Sequence, residues 1–385
     1  MHHRLPMVKV GLSDVLGWDA YRRKKANETS MASFEMNGRR EYWTFWSEDV
    51  RRAGCELYAQ LASCIGNDEK LRRLAGQARR GQPPANLILG AVHFLLLRGA
   101  DHPLKAFYPT IGGDANTDPR NAFPVFRDFV EQHEEDVVAL IRSRVTNTNE
   151  VGRSALLHAG FRTLARLSPQ PLHLIEVGAS AGLNVLWDRY GVRYMRDGMA
   201  LVELGAERPL VLDCALRGES MPPSGPAPAI ARRIGLERDP VYLDDDDDRD
   251  WLRALIFPTE VGRLRRLEKA MEMLRQSPPE IRYGDALELL PEAMAEASVE
   301  NTLCVYHTIA LYQFSRVMRE AFESMLVVAG LRRPTFHLSF EFDGQNYALT
   351  LERHADGSRD VFPLAISHPH GTWIEWRAAN DLAAR

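Results

Sequence analysis

The sequence predicts an α/β protein, with a mostly parallel sheet and crossover helices that follow an α-helical region and end in an antiparallel hairpin. Three observations predict it. Apolar residues recur at steps of three and four from Tyr42 to Arg166. After Pro169, short apolar runs alternate with helical stretches, the pattern of strands joined by crossover helices. Near the C-terminus, two strand-like runs flank His354-Ala355-Asp356-Gly357, which has turn chemistry.

Taken in order, residues 1–35 carry Arg22, Arg23, Lys24 and Lys25 without an apolar h-region. They read as a loose basic tail rather than a secretory signal. Residues 36–168 form the helical region. Phe126, Phe129, Val130, His133, Val137, Leu140 and Ile141 make one apolar stripe there. Its loops fall at Gln82-Pro83-Pro84, His102-Pro103 and Gly112-Gly113-Asp114. Asn149 is the expected N-cap of a helix over Val151 to Leu167.

Residues 169–385 form the α/β domain. Strands are expected at Leu172 to Val177, Arg232 to Glu237, Glu280 to Tyr283, Thr302 to Tyr306 and Thr335 to Phe340. Tyr347 to Arg353 and Val361 to Ile366 form the hairpin. A Pro-rich insertion at about 192–228 contains two further strand-like runs, Val192 to Tyr194 and Leu210 to Cys214.

Composition narrows the function classes. The chain has 385 residues, and 48 basic against 52 acidic side chains give a net charge of −4. Such a balance supplies no strong grip on nucleic acid. The longest apolar run, Leu87 to Leu97, is broken by Gly90 and His93 and falls well short of the ~20 residues that span a bilayer. Four cysteines without a C-x-x-C pair fit a reducing, cytoplasmic setting. Two features invite a metal reading, His368-Pro369-His370 and the run Asp244 to Asp248. Neither has a third ligand at diagnostic spacing, so no metal is expected. The oligomeric state is not legible.

The strongest chemical signal is Glu176-Val177-Gly178-Ala179-Ser180-Ala181-Gly182-Leu183-Asn184, which closes a strand and opens a helix carrying Leu186, Trp187 and Tyr190. Small residues let backbone approach a ligand, and a helix start offers unpaired N–H groups. The string resembles the first motif of class I methyltransferases that use S-adenosylmethionine, with Ser180 in place of the middle glycine. The dinucleotide fingerprint G-x-G-x-x-G is not met.

In the methyltransferase resemblance, Glu237 closes the second strand as the acid that holds the ribose hydroxyls, with Asp197 as its rival. Asp285, in Tyr283-Gly284-Asp285, faces the adenine edge; its alternative role is a helix N-cap. His307 ends the fourth strand beside the transferred methyl group, where an imidazole serves as general base. A structural histidine bonded to its surroundings is the alternative. Tyr306 and Tyr312 either wall the pocket or pack as core aromatics. Asn149, Glu150 and Arg153 either cap that pocket or serve in helix capping and packing, and His370 is a further candidate.

From about Tyr42 to Trp376 the chain resembles an uncharacterised bacterial family, domain of unknown function 2332. Three strings carry the resemblance: Asn149-Glu150-Val151-Gly152-Arg153-Ser154, the Glu176 to Asn184 string with Trp187-Asp188-Arg189-Tyr190, and His368-Pro369-His370-Gly371-Thr372-Trp373. The resemblance implies a Rossmann-like, methyltransferase-type fold. The second-strand pattern of that family looks like G-x-D-x-x-P, and Glu237 stands at its acidic place with a longer arm.

The expected function is therefore an S-adenosylmethionine-dependent methyltransferase acting on an unidentified acceptor. Two alternatives stand beside it. One is a noncatalytic nucleoside-binding or interaction protein on the same fold, and the other a nicotinamide-dependent oxidoreductase.

Overall fold

A computed structural model describes residues 40–378; the expected tail, 1–35, lies outside them. Helices α1 (Arg40–Arg52), α2 (Glu56–Ile65), α3 (Glu69–Ala75), α4 (Pro84–Leu97), α5 (Ala122–Gln132) and α6 (Glu134–Ser143) build the helical region. Helix α4 is apolar nearly all round and is its buried axis. The stripe from Phe126 to Ile141 runs over two helices, broken at His133 (φ −119°, ψ 29°). Glu134, Glu135 and Asp136 favour a fresh helix N-terminus there, where the helix dipole attracts acids. The stripe still buries Phe126, Phe129, Val130, Val137 and Ile141.

Helix α7 (Ser154–Leu167) belongs with the sheet rather than with the helical region. Ser154 through Leu164 are buried, and its Leu156, Phe161 and Leu164 join the core beneath the sheet. The expected N-cap differs as well. A 3₁₀ turn, Val151–Arg153, precedes α7 and is capped by Glu150, whose carboxylate accepts from the Gly152 N–H at 3.0 Å. Asn149 is engaged elsewhere.

Every expected strand is present within a few residues at its ends. They are β1 (Leu172–Val177), β2 (Gly191–Arg196), β3 (Met199–Leu204), β4 (Val211–Arg217), β5 (Ile230–Glu237), β6 (Glu280–Tyr283), β7 (Thr302–Thr308), β8 (Thr335–Phe342), β9 (Tyr347–Ala355), β10 (Ser358–Ser367) and β11 (Trp373–Trp376). They form one mixed sheet in the order β3-β2-β4-β11-β10-β9-β8-β7-β1-β5-β6. The run β8-β7-β1-β5-β6 is parallel throughout, and β8, β9 and β10 pair antiparallel. The insertion strands join the far edge because β11 pairs with β10 on one side and β4 on the other.

Helices α8 (Asp246–Ala254), α9 (Val261–Gln276), α10 (Ala286–Ala295) and α11 (Arg316–Gly330) complete the α-helices among the described residues. Helix α9 packs with α7 on one face, and α10 with α11 on the other. Helix α8 reaches back into the helical region, where Trp251 packs against the bare face of Gly90. The acid run opens this helix: Asp245 accepts from the Asp247 N–H at 2.7 Å and serves as its N-cap. Strand order reverses at β1, which lies between β5 and β7. Ligands of open α/β sheets bind outside the carboxyl ends of the strands at such a switch point.

Candidate functional site

A cavity of about 820 Å³ opens at that point, between the carboxyl ends of β1, β5, β7 and β8 and the helical region. Gly178, Ser180, Glu237, Asp285, His307, Asn149, Arg153 and His370 all line it. Tyr312 and Tyr347 contribute aromatic wall, and Phe45 and Trp46 of α1 face it from the helical side.

The loop after β1 coils tightly because three of its residues take left-handed backbone: Gly178 (φ 75°), Ser180 (φ 51°) and Gly182 (φ 88°). Ser180 thus adopts the conformation a glycine would take freely, and two bonds hold it there. Its N–H donates to Glu237 Oε2 at 2.7 Å and its hydroxyl to the Asn147 carbonyl at 2.7 Å. A Cβ on Gly178 would stand 2.7 Å from the Ala310 Cβ. Gly235 is bare for the same kind of reason, since Ala179 and Ile281 press on it.

The helix expected after this loop is a 3₁₀ segment, Asn184–Arg189, kinked at Leu186. Strand β2 starts at Gly191, so no α-helix has room to form. Five of the N–H groups expected to await a ligand, that of Ser180 among them, are spent inside the fold. Those of Gly178 and Ala179 donate to the Leu236 carbonyl, Gly182 to the Ala179 carbonyl, and Leu183 to Asn149 Oδ1.

Glu237 adjoins the loop, whereas Asp197 sits in the β2–β3 turn at the opposite edge of the sheet. Burial pushes the Glu237 carboxyl above its usual range, against three backbone donors. Oε1 accepts from Arg238 and Asp239, and Oε2 from Ser180, so of about four lone-pair sites one remains, on Oε2. Asp285 caps α10 by accepting from the Leu287 N–H at 3.0 Å, the second of its two expected roles, and it also lines the cavity.

Tyr306 does not wall the cavity. Alternate residues of a strand face opposite ways, so His307 and Tyr306 cannot share a side. The Tyr306 hydroxyl donates to Glu176 Oε2 at 3.3 Å, beneath the sheet against Phe161. Glu176, its parallel neighbour in register, is buried with it, and burial drives its carboxyl well above the usual range. Ala179, Gly182 and Asn184 also lie behind the cavity wall. Asn184 Oδ1 accepts from the Ser154 hydroxyl at 2.9 Å. Glu150 does not line the cavity either: Arg263 Nε donates to its Oε2 at 2.6 Å, with both side chains nearly fully buried.

His307 lines the cavity, yet both ring nitrogens are engaged. Nδ1 lies 2.9 Å from Glu341 Oε1 and Nε2 lies 2.9 Å from His337 Nε2. Glu341, which no sequence motif singled out, also accepts from the Ala310 and Leu311 N–H groups on that same Oε1. It lines the cavity, and although burial opposes ionisation, His307 and the backbone donors hold its carboxyl below the usual range. Behind it, His337, Glu352 and His354 bring one ligand atom each within 4.8 Å of one another. Arg359 meets that carboxylate with two N–H groups, at 2.6 and 3.0 Å, so a guanidinium supplies its positive charge. No spacing rule finds such a group, because it assembles across β8 and β9.

Two of the family-like strings meet in space. A Cβ on Gly152 would stand 2.2 Å from the His370 carbonyl oxygen, and one on Gly371 would stand 2.2 Å from that of Gly152. The two turns therefore pack backbone on backbone. Across this seam Arg153 Nε donates to the Pro369 carbonyl at 2.8 Å. Burial drives His370 well below its usual pKa, so it meets the cavity as a neutral ring.

Fold and site together define an α/β protein with a ligand-sized crevice at the switch point of its sheet. Residues 41–376 match the family DUF2332, described as an uncharacterized protein conserved in bacteria; the chain belongs to that family. Nothing among the curated proteins or the solved structures matches it.

Proposed function

We propose that the chain is a Rossmann-like methyltransferase that takes S-adenosylmethionine in the switch-point crevice. The observation that carries this reading is the convergence of Gly178, Glu237 and Asp285, from three adjacent strand ends, on one cavity. When bound, the cofactor supplies an electrophilic methyl group on a sulfonium. Gly178 lets backbone approach it, Glu237 keeps one lone pair of Oε2 for a ribose hydroxyl, and Asp285 stands where a base edge would lie. Glu341, rather than His307, is the group we assign to the proton of the acceptor, since its bonds crowd onto Oε1.

The spent N–H groups of the loop argue against the nicotinamide reading, because a pyrophosphate needs such donors. A nucleoside without phosphates does not. The noncatalytic reading draws support from His307, whose two nitrogens are held by protein. Calorimetry and thermal melts test the proposal. S-adenosylmethionine or S-adenosylhomocysteine at about a hundred times its dissociation constant adds ~2.7 kcal/mol of stability, and NAD adds none. Absence of any shift at millimolar S-adenosyl ligand, in folded protein, overturns the cofactor assignment. Binding without transfer to any acceptor in an extract labelled from methyl-tritiated cofactor favours the noncatalytic reading.

A further inference from the structure

We infer that Arg153 is the receptor for a ligand carboxylate in this cavity, an inference that deepens the proposed function. Arg153 is 8% exposed, and its guanidinium is held by two carbonyl oxygens, Pro369 from Nε at 2.8 Å and Thr308 from Nη1 at 2.9 Å. No carboxylate pairs with it among the described residues, and Nη2 has no protein acceptor there.

A buried cation is costly unless an anion accompanies it. Two acids, Glu150 and Glu341, act on Arg153 through space, and neither is bonded to it. Glu150 pairs with Arg263, and Oε1 of Glu341 is filled by His307 and two backbone N–H groups. Carbonyl oxygens orient the guanidinium without neutralising it. The backbone seam between Gly152 and Gly371 fixes its root, so the fork is rigid and lines the cavity. Such a preset fork matches a carboxylate, with charge-assisted bonds on the planar donor set.

That carboxylate has two sources, the amino-acid end of the cofactor or an acidic acceptor, and the test separates them. Binding of S-adenosylmethionine and of decarboxylated S-adenosylmethionine is measured by calorimetry on wild type, Arg153→Met and Arg153→Lys. Arg162→Met is the control: its guanidinium is also buried and held by carbonyl oxygens, but it lies outside the cavity. If the carboxylate comes from the cofactor, its removal weakens wild-type binding roughly 10- to 100-fold. Arg153→Met then binds both nucleosides alike, and Arg153→Lys retains part of the difference. Equal wild-type affinities assign Arg153 to the acceptor, provided that malonate protects the wild type.

Malonate in low-salt buffer is the second arm and needs no nucleoside. It raises the melting temperature of wild type and Arg162→Met more than that of Arg153→Met. This arm stands even where no S-adenosyl ligand binds, in which case the methyltransferase reading falls and the carboxylate site remains. The inference is overturned if Arg153→Met matches wild type in both its malonate response and its discrimination between the nucleosides.

Discussion

Nε2 of His307 lies 2.9 Å from Nε2 of His337, two ring nitrogens with room for one proton between them. Burial pushes His337 down to about 4, so it carries a single N–H at neutral pH. Its Nδ1 lies 3.5 Å from Glu352 Oε2, a carboxylate oxygen that can only accept, so the one N–H is drawn both toward Glu352 and toward His307. Glu341, held ionised, accepts from His307 Nδ1 at 2.9 Å. The contacts run from Glu352 on β9 to the cavity wall.

Breaking that chain leaves a buried ring nitrogen of His307 without its partner. His337→Phe is expected to cost about 1 to 3 kcal/mol of stability in urea denaturation. His307→Asn costs a similar amount and loosens Glu341, so turnover, once an acceptor is known, falls with it. An unchanged denaturation midpoint in both variants would show that the two rings do not depend on each other.

At Gly178 two effects add. Gly178→Ala must hold an alanine at φ 75° and press its Cβ on that of Ala310. The backbone term alone is worth about 1 to 3 kcal/mol. In an Ala310→Gly background the contact disappears and the backbone term stays, so thermal melts recover in part. Full recovery would mean that φ costs nothing here; none would mean that Ala310 is not the obstacle.

Asp285 and Glu237 separate binding from capping. Asparagine caps a helix about as well as aspartate, so Asp285→Asn should melt like wild type while S-adenosylhomocysteine binds more weakly by ~1.5 to 3 kcal/mol, the range for a bond to a charged group. Glu237→Ala should lower both quantities, because Ser180, Arg238 and Asp239 lose their acceptor. Unchanged affinity in both variants would remove these acids from the cofactor site.

Acid should weaken the fold through histidines buried without charge. His93 Nδ1 donates to the Ala254 carbonyl at 3.0 Å and Nε2 accepts from the Thr110 hydroxyl at 2.9 Å. Burial lowers its pKa from 6.5 to about 4. The unfolded chain therefore binds more protons in that interval, and stability is full above pH 6.5 and declines as pH falls toward 4. The loss from this residue is on the order of 3 kcal/mol at most. His93→Gln should flatten the dependence in denaturation series from pH ~7.5 to ~4.5. It will not abolish the slope, since burial also keeps His158, His337 and His368 neutral.

The strands were legible because each is a short apolar run bounded by turn residues, and a parallel sheet buries both faces of such runs. Gly178 and Glu237 were legible for a related reason, since strand ends at a switch point carry local signatures. What escaped is what assembles across strands. Glu341 and His337 meet His307 by register on β7 and β8, and no one-dimensional spacing encodes register. Between the two places open to Tyr306, proximity in sequence does not decide, whereas the pleat does, and it selects the core. The short segment after the Gly loop depended on where β2 begins, which the insertion obscured.

Strand β11 is four residues long, yet it alone ties β2, β3 and β4 to the rest of the sheet. Its partners, Ala215 to Arg217 and Ala365 to Ser367, are drawn from both ends of the α/β region. On a ribosome, the insertion strands emerge long before the segment that docks them. Until residues 373–376 clear the exit tunnel, β4 and β10 each present an open edge of the kind that recruits other chains. Assembly of the sheet therefore waits on residues 373–376, and until they emerge the newborn chain carries two open edges that a chaperone would have to cover.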